Sequence, residues 1–149
     1  MIALISSGLL IGSCSSDEKL PALEMENQPF IGTMNYVVTS QTVVGNTVKV
    51  VVEGAGSFSF DPDVKLYDAF TFNLSNGSAS HVVTYTATNG DKIFAEMVTQ
   101  AGETGVEGST LFTGGTGRFA KITGGSKNLG TQPDKNGAGN WKETGKITF

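Results

Sequence analysis

His81-Val82-Val83-Thr84-Tyr85-Thr86-Ala87-Thr88-Asn89-Gly90-Asp91-Lys92-Ile93-Phe94-Ala95-Glu96-Met97-Val98 is the stretch from which the fold can be read. Two runs rich in β-branched and aromatic residues flank Asn89-Gly90, and an Asn-Gly pair supplies the positive φ that both central positions of a two-residue type I′ turn require. With that turn the register pairs Ala87 with Lys92, Tyr85 with Phe94, Val83 with Glu96 and His81 with Val98, setting all eight side chains on one face. Val82, Thr84, Thr86 and Thr88 share the other face with Asp91, Ile93, Ala95 and Met97. Neither face is purely polar, as expected of a hairpin with one side against a core and the other partly covered.

Outward from this hairpin the same pattern continues. From Phe30 to the end, short runs rich in Val, Thr, Phe and Tyr alternate with turn residues at Gly45-Asn46, Asp61-Pro62-Asp63, Asn76-Gly77, Gly102, Gly114-Gly115 and Pro133 to Gly139. Such spacing predicts an all-β domain, an antiparallel sandwich or barrel, with strands near 31–40, 47–60, 69–75, 81–88, 92–99, 106–113, 119–130 and 140–149. No later stretch keeps a helical apolar period. Gly54 and Gly56 interrupt the long second strand, where a bulge or sharp bend is expected of a sheet that closes on itself.

Phe112-Thr113-Gly114-Gly115-Thr116-Gly117-Arg118-Phe119-Ala120 resembles the signature of small bacterial barrel proteins similar to allene oxide cyclase and plant dirigent proteins. Gln28 to Thr33 resembles that family's opening strand, Thr88 to Asp91 its central hairpin and Gly145 to Phe149 its closing strand. The resemblance spans about 28–149 and implies a single antiparallel eight-stranded β-barrel with a lined interior. In physical terms Gly114, Gly115 and Gly117 give the connection backbone freedom, and Phe119 can anchor it by packing. The stretch is not a phosphate loop, because no helix and no Gly-Lys-Ser/Thr follow; Ala120 to Gly125 reads as strand. Arg118, the single arginine, grips an anion or pairs with a neighbouring carboxylate. Pairing is favoured, since the motif is shared by proteins with no common ligand.

The cyclase relatives use an apolar pocket with a buried glutamate and the dirigent relatives use acidic and aromatic pocket residues, but neither set maps residue by residue onto this chain. From first principles the nearest equivalent is His81, Tyr85 and Glu96, which the type I′ register sets on one face. Facing inward, Glu96 would sit in an apolar barrel with a raised pKa, able to act as acid or base. Facing outward, all three are solvated surface groups. Asp61, Asp63 and Asp68 lack the alternating oxygen ligands and glycine of a calcium loop and read as a solvated turn. One histidine and one cysteine make no zinc site, and no cofactor motif is present. Trp141, beside Lys142, reads as a core or barrel-mouth residue, with a sugar or membrane contact as the other option.

The N-terminal segment speaks to location. Ile2 to Leu10 is apolar and too short to span a bilayer as a helix, and Ile11-Gly12-Ser13-Cys14 resembles a lipobox, in which the cysteine receives a lipid. The run opens without the Lys or Arg usual in export signals, which a start site assigned too late would explain. The expected organisation is a lipoprotein signal segment over 1–13, a lipidated Cys14 with a flexible, acidic, proline-punctuated tether over 14–29, and a barrel domain over 30–149. Ser15 after the cysteine resembles lipoproteins sent to the outer membrane, and Asp17-Glu18 resembles a surface-export signal or a solvated spacer. Net charge is −4 with no basic cluster, which argues against nucleic acid as a partner.

These readings lead to an outer-membrane lipoprotein whose barrel binds an apolar or amphipathic small molecule or has a structural role. A cyclase or isomerase using an interior carboxylate is the alternative. The membrane is the expected partner through Cys14, and homo-oligomerisation is left open.

Overall fold

A computed structural model describes residues 25–149; the expected signal segment, Cys14 and the tether up to residue 24 lie outside the described residues. Eight strands follow one another: β1 (Gln28–Val44), β2 (Thr47–Phe58), β3 (Asp61–Asn73), β4 (Ser78–Thr86), β5 (Lys92–Ala101), β6 (Val106–Gly115), β7 (Thr123–Gly130) and β8 (Ala138–Thr148). A 3₁₀ turn, Gly117–Phe119, lies between β6 and β7. Each strand pairs antiparallel with its chain neighbour, and β1 pairs with β8, so the sheet closes into an up-and-down barrel. Closure leaves no unpaired edge, which a sandwich would have to protect by other means.

Alternation sets the walls. On β1, Phe30 and Met34 are buried while Ile31, Thr33 and Asn35 are exposed; on β3, Val64, Leu66 and Asp68 are buried between exposed Lys65 and Tyr67. The expected irregularity in β2 is present, as the β2–β3 register shifts between Gly56 and Phe58. A Cβ on Gly56 would collide with the Thr33 carbonyl oxygen, so glycine is what lets β1 and β2 approach so closely.

Three boundaries differ from the sequence reading. β3 begins at Asp61 rather than near 69, because Pro62 sits at the strand's opening, where a missing N–H is tolerated. Phe119 lies in the 3₁₀ turn and β7 starts only at Thr123, so Ala120 to Ile122 are not strand. Ordered pairing starts before residue 30: the Met25 N–H donates to the Phe149 carbonyl and the Phe149 N–H donates back, both at 2.8 Å.

The central hairpin carries the most consequential correction. Its loop is longer than a type I′ turn: the Gly90 N–H donates to the Ala87 carbonyl at 2.9 Å and the Ala87 N–H to the Asp91 carbonyl at 2.8 Å. Gly90 has φ +88, whereas Asn89 is not at positive φ, as in a three-residue loop ending in a left-handed glycine. Tyr85 therefore pairs with Ile93, Val83 with Ala95 and His81 with Met97, one position from the expected register. A one-residue slip turns a strand over, so Glu96 points outward opposite Val82 while His81 and Tyr85 point inward.

The longer loop is held from within and from outside the hairpin: Asn89 Oδ1 accepts the Asp91 N–H at 3.0 Å and Asn89 Nδ2 donates to Asp91 Oδ2 at 2.9 Å. Asp91 Oδ2 accepts the Arg118 N–H at 3.0 Å, the Lys92 N–H donates to Thr116 Oγ1 at 2.8 Å, and the Thr116 N–H donates to the Lys92 carbonyl at 2.8 Å. The connection after β6 thus grips the hairpin and holds Asp91 where it closes the loop.

Candidate functional site

The two ends of the barrel differ. At the end holding the β2–β3 and β4–β5 turns, Phe30, Phe58, Phe60, Phe112, Phe119 and Phe149 form a plug, with ring centroids 4.9–6.0 Å apart along the chain of contacts. Tyr85 joins it through Phe58 at 5.0 Å. Gly114 to Phe119 seal this floor: Phe119 is fully buried, and the Arg118 guanidinium donates to buried Asp61, whose Oδ1 accepts the Thr88 hydroxyl at 2.6 Å. Arg118 thus sits in a carboxylate pair tying the β2–β3 turn to the floor, its guanidinium also 4.5 Å from the Phe119 ring centroid. The Asp61, Asp63 and Asp68 stretch is not a solvated turn: Asp61 and Asp68 are both buried, Asp61 in the floor and Asp68 in the barrel wall.

Above the plug the interior opens into a chamber of about 710 Å³ with its mouth among the opposite loops. Its apolar wall includes Val38, Val48, Val50, Val52, Phe70 and Met97. Polar groups of the barrel interior lie in two layers; the upper one lines the chamber, whereas of the lower one Trp141 and Asn128 reach it and Glu143, Tyr85 and Ser126 lie beneath its floor.

The lower layer centres on Glu143, which is 0 % exposed. Glu143 Oε1 accepts the Tyr85 hydroxyl at 2.5 Å and the Trp141 Nε1–H at 2.8 Å, and Ser126 Oγ lies 2.9 Å from Oε2. Ser126 has a single proton and also faces Asn128 Oδ1 at 3.1 Å. A protonated Glu143 satisfies both, its Oε2–H donating to Ser126 and Ser126 donating to Asn128. Burial pushes the Glu143 carboxyl above its ordinary range, against the lowering by the hydrogen bonds that Tyr85 and Trp141 donate. Burial, then the neighbouring Glu143, also pushes the Tyr85 phenol well above its ordinary value.

The upper layer is a line of three side chains from β3, β4 and β5. His81 Nδ1 lies 2.8 Å from Asp68 Oδ2, and His81 Nε2 lies 2.9 Å from Thr99 Oγ1. The imidazole is tilted against Phe70 with centroids 4.4 Å apart. Asp68 is 1 % exposed and its Oδ1 has no hydrogen-bond partner. Burial raises its pKa, opposed by the hydrogen bond and charge of His81. Tyr36, whose hydroxyl donates to the Thr131 carbonyl at 2.9 Å, is pushed up to about 12 by burial and then by Asp68.

Of the hairpin residues singled out from sequence, His81 and Tyr85 face the interior but belong to different layers, and Glu96 is excluded from both. The interior carboxylates are Asp68 and Glu143. Alternation could have found them: Val64, Leu66 and Phe70 place Asp68 inside, and Trp141 and Ile147 place Glu143 inside. Trp141 is a core residue that also lines the chamber, its ring 5.3 Å from Tyr36, while Lys142 points to solvent. No group of three or more metal-ligating side chains occurs among the described residues. No family model matches this chain, and no curated protein or solved structure is similar to it at a significant level.

Proposed function

We propose that this barrel binds an apolar or amphipathic small molecule in its chamber, as a lipid-anchored protein of the outer membrane. The observation that carries the reading is the chamber itself: about 710 Å³ is within the usual range for small-molecule sites, and a mostly apolar wall with a few converging polar groups is their usual lining. The barrel architecture is also what the resemblance to the allene oxide cyclase and dirigent-like family implies. Met25, the first described residue, pairs with Phe149 at the plugged end. The described chain thus starts at the plugged end, away from the mouth.

The test is a titration with N-phenyl-1-naphthylamine, a neutral apolar fluorophore. Saturable uptake at one site per barrel is expected, and it should be lost when Val38→Trp or Ala79→Phe fills the chamber without lowering the melting temperature. Uptake that does not saturate, or that survives both substitutions, would overturn the reading. A second reading, proton-transfer chemistry of the cyclase or isomerase type, is favoured by one observation, the two interior carboxylates Asp68 and Glu143 whose pKa values burial raises.

A further inference from the structure

The line Asp68, His81, Thr99 has the order of an orienting acid, a base and a nucleophile. A carboxylate oxygen stands 2.8 Å from one imidazole nitrogen and a hydroxyl 2.9 Å from the other, within the reach that such relays require. Exposure rises along the line: Asp68 is 1 % exposed, His81 is 8 % exposed and Thr99 is half-buried. All three line the chamber. An acid hidden from solvent fixes the imidazole, and the hydroxyl is the member most open to an incoming group.

We infer that Thr99 is an acyl acceptor, activated by His81 and oriented through it by Asp68, toward esters with an apolar acyl chain held in the chamber. With Asp68 ionised, His81 carries its proton on Nδ1 and donates to Asp68, and Nε2 accepts the Thr99 hydroxyl. Thr99 Oγ1 then forms a bond to the ester carbonyl carbon, its proton passes to His81 Nε2, and the carbon–oxygen bond to the leaving alcohol breaks. The departing oxygen takes the proton from His81. Water reverses the sequence: it attacks the acyl-threonine, gives a proton to His81, and releases the carboxylic acid as Thr99 regains its hydrogen.

The chamber's polar donors limit the rate. The Asn128 amide is committed to Thr110 and Met97, and the Trp141 Nε1–H to Glu143. A developing oxyanion cannot draw on these two donors without breaking their bonds, and a preorganised donor contributes about 100- to 1,000-fold in dedicated acyl-transfer enzymes. Activated esters should acylate Thr99 faster than water removes the acyl group, so a stoichiometric adduct is the expected product.

This inference rests on the chamber being a small-molecule site, and the experiment separates the two. The protein is incubated with p-nitrophenyl octanoate, the released p-nitrophenol is followed, and intact mass with peptide mapping locates any octanoyl group. The expected result is one octanoyl group on Thr99, present with Thr99→Ser, absent with Thr99→Val, and formed about 100-fold more slowly or worse with His81→Gln. Displacement of N-phenyl-1-naphthylamine by p-nitrophenyl octanoate, measured for parent and variants, reports whether the chamber is intact and occupied. Displacement without a Thr99 adduct, or an octanoyl group found on lysines alone, overturns the role of Thr99 while leaving the binding reading standing. Failure of the parent barrel to take up either molecule overturns both.

Discussion

Replacing Glu143 by leucine should be among the most damaging single changes available in this barrel, while glutamine at the same position should be nearly silent. Leucine removes the acceptor of the Tyr85 hydroxyl and of the Trp141 Nε1–H. Tyr85 is 0 % exposed, so water cannot take over its hydrogen bond without opening the barrel. A buried donor left without a partner costs about 1–3 kcal/mol, so two cost about 2–6 kcal/mol. That is a large share of the roughly 5–15 kcal/mol that holds a domain folded, and at about 4 °C per kcal/mol it corresponds to a melting temperature lower by about 8–24 °C. Glutamine keeps Oε1 for both donors and presents an N–H to Ser126, matching the pattern of a protonated glutamate, so the change should stay within about 1 kcal/mol.

The pH dependence carries a second signature. A carboxyl whose folded-state pKa is raised above its unfolded value of about 4.3 holds extra protons in the folded state. Its favourable contribution is present below the unfolded value and is lost as pH rises toward the folded one. Urea melts of the parent and of Glu143→Gln between pH 4 and 8 isolate this group, because the difference between the two curves removes the opposing share of Asp91 and Asp134. Backbone N–H donors hold those two carboxyls below their ordinary range. The parent should lose stability relative to the glutamine variant as pH rises. A leucine variant as stable as the parent, or a parent that gains on glutamine with rising pH, would refute the layer's proton count.

Glu96→Gln should change neither ligand uptake nor stability by more than about 0.5 kcal/mol, read by calorimetry and by the fluorophore titration, because the side chain is exposed on the outer wall. Gly117→Val should destabilise by about 2 kcal/mol or more, since Gly117 has φ +54 and a Cβ would meet the Asp91 carboxylate; a melt that overlays the parent would show the glycine to be incidental. Cys14→Ser is expected to abolish fatty-acid incorporation and release the barrel from the membrane fraction with its melting temperature unchanged; incorporation that persists would end the lipoprotein reading.

The antiparallel all-β class was legible in the sequence because each hairpin announces itself locally, whereas a barrel rather than a sandwich was implied only by the family resemblance. Eight runs of β-formers separated by turn residues gave the strand number, and Gly54 and Gly56 marked where β2 is irregular. Boundaries were less legible where turn residues open a strand. Asp61-Pro62-Asp63 carries a turn composition, yet Asp61 is held by Arg118 and Thr88 from distant parts of the chain, and β3 begins there.

The site was legible only in part, and the central hairpin shows why. Asn89-Gly90 fixes that the chain reverses, a local property of two residues. The three-residue loop, in place of a two-residue turn, is held both by Asn89 on Asp91 and by the grip of Thr116 and Arg118 on Lys92 and Asp91, some 25 positions later. That difference of one residue decides which face looks inward, so it sends Glu96 to the solvent and keeps His81 in the chamber. Asp68 and Glu143 sit in strands whose alternation already places them inside. What no sequence pattern could supply is the line from Asp68 through His81 to Thr99, because its members come from three neighbouring strands. The sequence alone determined the strands, their order and the alternation of their walls, all set by neighbours along the chain. Register and the meeting of side chains across the barrel were decided by closure, which fixes every pairing at once.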